Sequence, residues 1–561
     1  MFIPMTRIEM EKLGWDELDV ILVTGDAYID TYFDGTAVIG KHLITHGFKV
    51  GVISQPDIEM DADILRLGEP RLFWGVSAGI MDSMVANYTA SGLKRKNDDL
   101  TPGGINNRRP DRAVLKYTNL IKRFSKTKVP VVIGGVEASL RRFAHYDFKT
   151  DKIRGSVLSD SKADILVFGM GEKPILKIAE NLKNGFETQD ISGTCYMTNE
   201  IPETGEELPS FEDCAQNKDS FIKMTSVFMQ SMRKRTKLFQ KQGQRYIVQN
   251  PPSDHFTTDE LDDIHEMDFE RSVHPECLKS GEVRAIETIR NSVSTHRGCF
   301  GTCTFCSIAA HQGSEVVSRS EGSIIREVQK LAGKKGFNGV ISDLGGPTAN
   351  MYGMDFIRAQ KGHCISRDCL YPDVCKKVEP DHSKQLSLLR KVRETKGVKH
   401  VFVSSGIRYD LIVADQKHGM EYLEEIVEHH ISGQMKIAPE HTEPQILSLM
   451  KKPSKEVLLE FSKMFEKAVK KSGKKTFLTY YLIAAFPGSE LEHQKKLKDF
   501  ISRNLRITPE QVQIFTPTPS TEATMMYWTE KTSDGIPIFV EKGFKGRRKQ
   551  KDIVTGTSRN N

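Results

Sequence analysis

The chain has 561 residues, 38% hydrophobic and 27% charged, with 28 Phe and 14 Tyr. That profile supplies ample core material and excludes a disordered or fibrous protein. The net charge of +6, from 80 basic against 74 acidic residues, is too small for a chain built to coat nucleic acid, and nine cysteines are too few for a disulfide scaffold. The start, MFIPMTRIEMEKLGW, lacks the basic-then-apolar order of a secretory signal, and no apolar run reaches membrane-span length. The expectation is a cytoplasmic protein with reduced thiols and no membrane partner, and with roughly three to four domains' worth of mass by length alone.

Residues 1–190 alternate short apolar runs with amphipathic stretches. DVILVTG, KVGVIS, RLFWGVSAG, VPVVIGG and ADILVFGMG read as buried strands, with TAVIGKHLITHG and RAVLKYTNLIKRFS as helices between them. This pattern predicts a parallel sheet covered on both faces, a Rossmann-like α/β domain. Gly25, Gly79, Gly134, Gly135, Gly169 and Gly171 fall at the strand C-terminal ends, where such sheets bind ligands or merely turn tightly. Glu137 and Glu172 read as helix N-terminal acids.

Residues 191–285 are polar and turn-rich, and carry the basic run MRKRTKLFQKQGQR; they read as a connecting segment. Cys195, Cys214 and Cys277 are scattered there without an assigned role. Over residues 286–530 the strand–helix alternation resumes with SVSTHR, NGVISDL, HVFVSSG, QMKIAP, FLTYYLIAA and VQIFTP. Six such units predict a partial (β/α)6 barrel with its functional loops at the strand C-terminal ends. The basic, polar residues 531–561 read as a disordered tail.

The strongest chemical signal is HRGCFGTCTFCSIAAHQG, immediately after the first barrel strand. Cys299, Cys303 and Cys306 have the spacing C-x3-C-x2-C. Three thiolates on one short loop can hold three irons of a [4Fe–4S] cluster and leave the fourth iron open to a ligand. The bland alternatives are zinc completed by a distant ligand, or three buried thiols.

This spacing, with aromatic Phe305 before the last cysteine, resembles the radical SAM superfamily signature. The resemblance implies that S-adenosylmethionine chelates the open iron, and that one-electron reduction cleaves it to methionine and a 5′-deoxyadenosyl radical. It places Phe305 near adenine, Gly345 and Gly346 of SDLGGPTANMYG at the methionine moiety, and Ser404 and Arg408 of SSGIR at ribose or carboxylate. KIAPEHT and AAFPGSE resemble adenine- and substrate-side loops, and Asp343 lies beside the glycine pair. Over nearly the whole length, PMTRIEMEKLGWDELDVILVTGDAYID, GVSAGIMDSMVANYTA, IGGVEASLRRFAHYD and FTPTPSTEATMMYWT are similar to the YgiQ-type family, which joins a cobalamin-binding-domain-like Rossmann fold to a radical SAM barrel. Thr31 follows Asp30 where relatives carry a His, so no axial imidazole is offered and cobalamin is not expected.

A second triplet, Cys364, Cys369 and Cys375, lies in an insertion over residues 350–382, with His363 and His382 flanking. It predicts a second metal site, an auxiliary iron–sulfur cluster or zinc. The leading expectation is a radical SAM enzyme of unknown substrate, served by a reductant such as flavodoxin or ferredoxin. RNA or protein modification is the alternative within that class, with RNA binding suggested by the basic segments; a non-catalytic zinc- or RNA-binding protein is the alternative outside it.

Overall fold

The computed structural model describes residues 1–355, 368–507 and 509–556. It divides into two units: residues 1–255 with 263–290, and residues 256–262 with 291–561.

The first unit is built on one nine-stranded sheet. Five strands, β1 (Val20–Thr24), β2 (Val50–Ser54), β3 (Phe73–Ser77), β4 (Val131–Gly134) and β5 (Ile165–Val167), run parallel in the order β2-β1-β3-β4-β5. Val, Ile and Leu fill both faces of β1, every residue of which is buried, as expected of a sheet with helices on each side. Helices α1 (Gly35–Thr45), α2 (Ala113–Phe124) and α3 (Glu172–Asn184) are three of the flanking elements. The α1 entry is fixed by Asp34, whose side chain accepts the Thr36 N–H at 2.9 Å.

The sheet continues through β6 (Thr194–Thr198), β7 (Glu206–Leu208), β8 (Leu238–Gln242) and β9 (Arg245–Gln249), in the order β5-β6-β9-β8-β7. This corrects the expectation of a polar connecting segment over residues 191–285. The strands escaped the hydropathy pattern because two of their inward positions are glutamines. Gln240 Oε1 accepts the Ala144 N–H at 2.9 Å, and Gln249 Oε1 accepts Arg142 Nε at 2.6 Å. Both are fully buried, and each carbonyl oxygen is hydrogen-bonded. The basic run beside them is partly internal, since Arg235 donates to the carbonyls of Pro252 and Ser253 at 2.9 and 3.0 Å.

The second unit holds six barrel positions in chain order: β10 (Ser292–Ser294), the broken strand β11 (Val340–Ile341) and β12 (Asp343–Gly345), β13 (His400–Val401), β14 (Gln434–Glu440), β15 (Phe477–Ala484) and β16 (Val512–Ile514). Pairings are parallel throughout: β10 with β12, β11 with β13, an Ile407–Ile437 bridge onto β14, then β14 with β15 and β15 with β16. Alternate residues Val293, Leu344, Val401, Met435 and Ile437 point outward into a core shared with α4 (Ser383–Glu394) and α5 (Lys455–Ser472). The strand C-terminal ends therefore gather on one rim, as the alternation predicts.

The tail is a further correction. Residues 531–561 include helix α6 (Phe544–Thr555), which packs on the barrel instead of being disordered. Its inward stripe is Arg547, Gln550 and Val554, at helical spacing, with only one aliphatic residue among the three. Gln550 accepts the Ala485 N–H at 3.0 Å and donates to the Ser489 carbonyl at 2.8 Å, while Arg547 donates to the Phe515 carbonyl at 2.9 Å. A helix docked through hydrogen bonds leaves no apolar period to read. No helix among the described residues is long and apolar enough to cross a membrane.

Candidate active site at the barrel rim

The loop carrying Cys299, Cys303 and Cys306 leaves β10 through a short antiparallel pairing of His296–Arg297 with Val317–Ser318. Gly298 makes the turn possible. Its φ is 82°, and a Cβ there would land on the Glu315 carbonyl. Further along, Thr304 ties the loop down: its N–H and hydroxyl donate to the carbonyls of Met450 and Leu449 at 3.2 and 2.8 Å. Phe300 is fully buried beneath it.

All three thiols are half-buried and unbridged. They lie in one another's fields. Burial, then the neighbouring Cys303, pushes the Cys306 thiol up to about 12. Burial also raises Cys299, against the Thr348 hydroxyl 3.2 Å from its sulfur and the positive charge of Arg408. Thiols so placed hold their protons unless a metal displaces them. Among the described residues, no three His, Cys, Asp or Glu side chains converge tightly enough for a single metal ion.

Around the loop the strand ends supply backbone and hydroxyl groups. Gly345 accepts the Thr295 N–H at 2.7 Å, and a Cβ on Gly346 would stand 2.5 Å from the His296 ring. His296 is fully buried and held neutral, its pKa brought down to about 4 by burial. Asp343 accepts the N–H groups of Ser404 and Ser405 at 2.8 and 3.1 Å, together with the Ser405 hydroxyl. The exposed Ser404 donates its hydroxyl to the Ser342 carbonyl at 2.7 Å. Phe305 meets Phe486 edge-to-face at 6.2 Å, and Phe486 meets Phe515 at 5.3 Å, forming an aromatic wall beside Cys306.

Arg408 departs from expectation. Its Nε and Nη2 form a two-point pair with Asp410 at 2.9 and 2.6 Å, and Nη1 points to Cys303 Sγ at 3.6 Å. The fork expected to take a ligand carboxylate is already filled by the chain's own. Glu440, at the end of β14, is buried at a φ of 67° between Lys452 and Arg408. Burial raises its pKa. Neither His296 nor Glu440 is legible as an individual site residue, because each is a single polar residue at a strand end.

The second triplet is divided by the described range. Cys364 and His363 lie outside the described residues. Cys369 and Cys375 are buried in an apolar cluster with Phe300, Val316, Met351 and Leu411. His382 has both ring nitrogens engaged, Nδ1 with Asp415 at 2.8 Å and Nε2 with Asn350 at 3.1 Å.

In the first unit the strand ends near β1 and β3 are closed by the chain itself. Asp26 pairs with Arg109, which also reaches Asp98 at 2.9 Å, and a Cβ on Gly79 would collide with the Asp26 carboxylate. Further along the same edge, Ser77, Gly134, Gly135, Gly169 and Gly171 form a half-exposed shelf with almost no side chain, Gly135 at a φ of 79°.

Residues 2–292 match the radical SAM N-terminal family and residues 293–501 the radical SAM superfamily. A UPF0313 protein of Fusobacterium nucleatum is 51% identical over 100% of this chain and 99% of its own length. One from Thermotoga maritima is 50% identical over 99% of this chain and 98% of its own. Among solved structures, the radical S-adenosylmethionine methyltransferase TsrM of Kitasatospora setae, with tryptophan substrate and a SAM analogue bound, shares the fold. It has a TM-score of 0.52 at 15% identity, over 89% of this chain and 74% of that one. The same enzyme with cobalamin and a [4Fe–4S] cluster bound gives 0.52 at 14%, over 91% of this chain and 74% of that one. This corrects the expectation that cobalamin is not bound. That expectation rested on one missing imidazole, and the fold is that of an enzyme solved with cobalamin in place. The chain belongs to the UPF0313 family of the radical SAM superfamily, and with it to the enzymes that use S-adenosylmethionine in radical chemistry.

Proposed function

We propose that the protein holds a [4Fe–4S] cluster on Cys299, Cys303 and Cys306 and cleaves S-adenosylmethionine reductively at its open iron. The observation that carries this reading is the rim loop itself: three half-buried thiols in one another's fields, with Thr348 and Arg408 aimed at two of the sulfurs. When bound, the cluster and S-adenosylmethionine supply the electron transfer and the carbon-centred radical; the protein binds, orients and shields. Gly298 and Thr304 set the loop. The wall of Phe305 and Phe486 offers adenine a flat apolar side and keeps water from Cys306. Gly345 and Gly346 present backbone, without side chains, to the methionine moiety. Ser404 faces the open rim as a ribose contact, its position locked through Asp343.

The same reading gives the shelf at Gly134–Gly135 and Gly169–Gly171 to a corrinoid, because a side-chain-free edge lets a large flat ligand approach the strand ends closely. A reductant such as flavodoxin or ferredoxin and a substrate are the partners this chemistry needs, and a reducing cytoplasm suits the free thiols.

The test is anaerobic purification, reconstitution with iron and sulfide, and incubation with S-adenosylmethionine and dithionite. 5′-Deoxyadenosine from the wild type and none from Cys303→Ala supports the reading; equal yields from both overturn it. Cobalt retained after growth with cobalamin, and lost in Gly135→Val, supports the corrinoid assignment; cobalt at background in the wild type removes it.

A further inference from the structure

Arg408 and Thr348 come from two different loops, yet each brings a hydrogen-bonding group to a different cysteine of the triplet. Thr348, two residues beyond Gly346, places its Oγ1 3.2 Å from Cys299 Sγ. Arg408, after β13, places Nη1 3.6 Å from Cys303 Sγ. Both lie within reach for a hydrogen bond to sulfur, and both donors are buried.

The guanidinium is held by more than chance packing. Asp410 takes Nε and Nη2 as a planar two-point pair, which fixes the guanidinium plane and turns the remaining nitrogen toward the cysteine loop. Asn350 Oδ1 accepts the Arg408 N–H at 2.8 Å and fixes the backbone behind it. Gly301, opposite, has no side chain to interfere: a Cβ there would stand 2.9 Å from Nη1 and 3.3 Å from Cys299 Sγ. The pair thus presents its cationic side, and not its carboxylate, to the sulfurs.

We propose that Arg408, oriented by Asp410, and Thr348 are positioning residues that hydrogen-bond the sulfurs of Cys303 and Cys299 and set the reduction potential of the cluster. The proposal rests on the cluster assignment above. A hydrogen bond to a ligating sulfur stabilises the more negative, reduced cluster over the oxidised one, so both contacts raise the potential and ease entry of the first electron. Arg408 carries the larger share because it brings a formal positive charge on a charge-assisted bond, whereas Thr348 brings a neutral hydroxyl. Asp410 acts through Arg408 and touches no sulfur in this arrangement.

The experiment is a mediator-based redox titration of reconstituted protein, read by electron paramagnetic resonance, first without and then with S-adenosylmethionine. Wild type, Arg408→Gln, Asp410→Asn and Thr348→Val are compared at equal iron content, and the affinity for S-adenosylmethionine is measured alongside. The expected result without S-adenosylmethionine is a midpoint potential lowered in Arg408→Gln, lowered less in Thr348→Val, and intermediate in Asp410→Asn. The two single effects should add, since they act on different sulfurs. An unchanged potential in both Arg408→Gln and Thr348→Val overturns the proposal. So does an unchanged potential with weakened S-adenosylmethionine binding in Arg408→Gln, which would return Arg408 to the ligand carboxylate. If Arg408→Gln loses iron, Thr348→Val still decides the matter, because it removes no charged group. A wild type that takes up no cluster fails the cluster assignment itself, and is distinguishable from all of these outcomes.

Discussion

The strand ends of the first unit and those of the barrel follow the same α/β logic and use their polar residues in opposite ways. At β1 and β3 the groups are paired with one another. Asp26, Asp98 and Arg109 form a buried charged triad, Asp82 pairs with Arg141, and Glu137 accepts both the N–H and the hydroxyl of Ser83. At the barrel rim three thiols stay unbridged and half-exposed. A closed polar network stabilises a fold. An open one is tolerated only where a non-protein group completes it.

The sharpest way to break this contrast is Cys303→Ala. Iron bound per chain should fall to background and 5′-deoxyadenosine should vanish, with the circular dichroism of the fold unchanged. A wild-type iron content would mean that the rim is not an open site.

The next effect lies in the first unit. Arg109→Leu leaves Asp26 and Asp98 buried without their cation, which costs about 3–5 kcal/mol. Urea denaturation should show that loss, while reconstituted iron stays near the wild-type level. Equal stability of the variant would remove the distinction between structural and functional polar clusters.

Asp34 sharpens the comparison through pH. Burial raises its carboxyl to about 7 from the ordinary 3.8, so the folded state favours the protonated form. Its contribution is full below about pH 4 and is lost as pH rises through about 7. The span of about three units corresponds to at most about 4 kcal/mol at about 1.4 kcal/mol per unit. Asp34→Asn keeps an N-cap side chain for α1 and should flatten this slope, as read from stability curves of variant and wild type at pH 5 and 8. Parallel curves would show that Asp34 does not titrate in this window.

The smallest effect is expected for Gln550→Leu. Removing the hydrogen bonds to Ala485 and Ser489 should cost about 1–3 kcal/mol and loosen the loop that carries Phe486. Faster hydrogen exchange confined to residues 485–489 would register it; unchanged exchange would make α6 a passenger.

Period and spacing explain what could be read in advance. The five strands of the first parallel sheet are apolar runs, the six barrel positions recur in a strand–helix alternation, and the cysteine triplet is a fixed local spacing, so all three were visible. The strands over residues 194–249 were not, because Gln240 and Gln249 take inward positions through hydrogen bonds to Ala144 and Arg142, far away in the sequence. Helix α6 was hidden for the same reason, with Gln550 where an aliphatic residue would have signalled docking. The partnership of Arg408 with Asp410 was also out of reach: two residues apart in sequence, the pair becomes meaningful only once Cys303 is folded against it. Long-range satisfaction of polar groups leaves no periodic trace.

The threading of the chain bears on its synthesis. Residues 256–262 belong to the barrel unit although residues 263–290 return to the first one. That short excursion supplies Asp262, which accepts the Ser320 N–H at 3.0 Å, and Phe256, whose ring lies 5.4 Å from the Arg297 guanidinium. No single scission can separate the two units into intact halves. A ribosome releasing the chain must emit the barrel's first piece before the first unit is finished. A fragment ending at residue 290 carries all of the first unit, whereas one that starts at residue 291 lacks residues 256–262 of the barrel unit and should fold less stably than the barrel in the full chain.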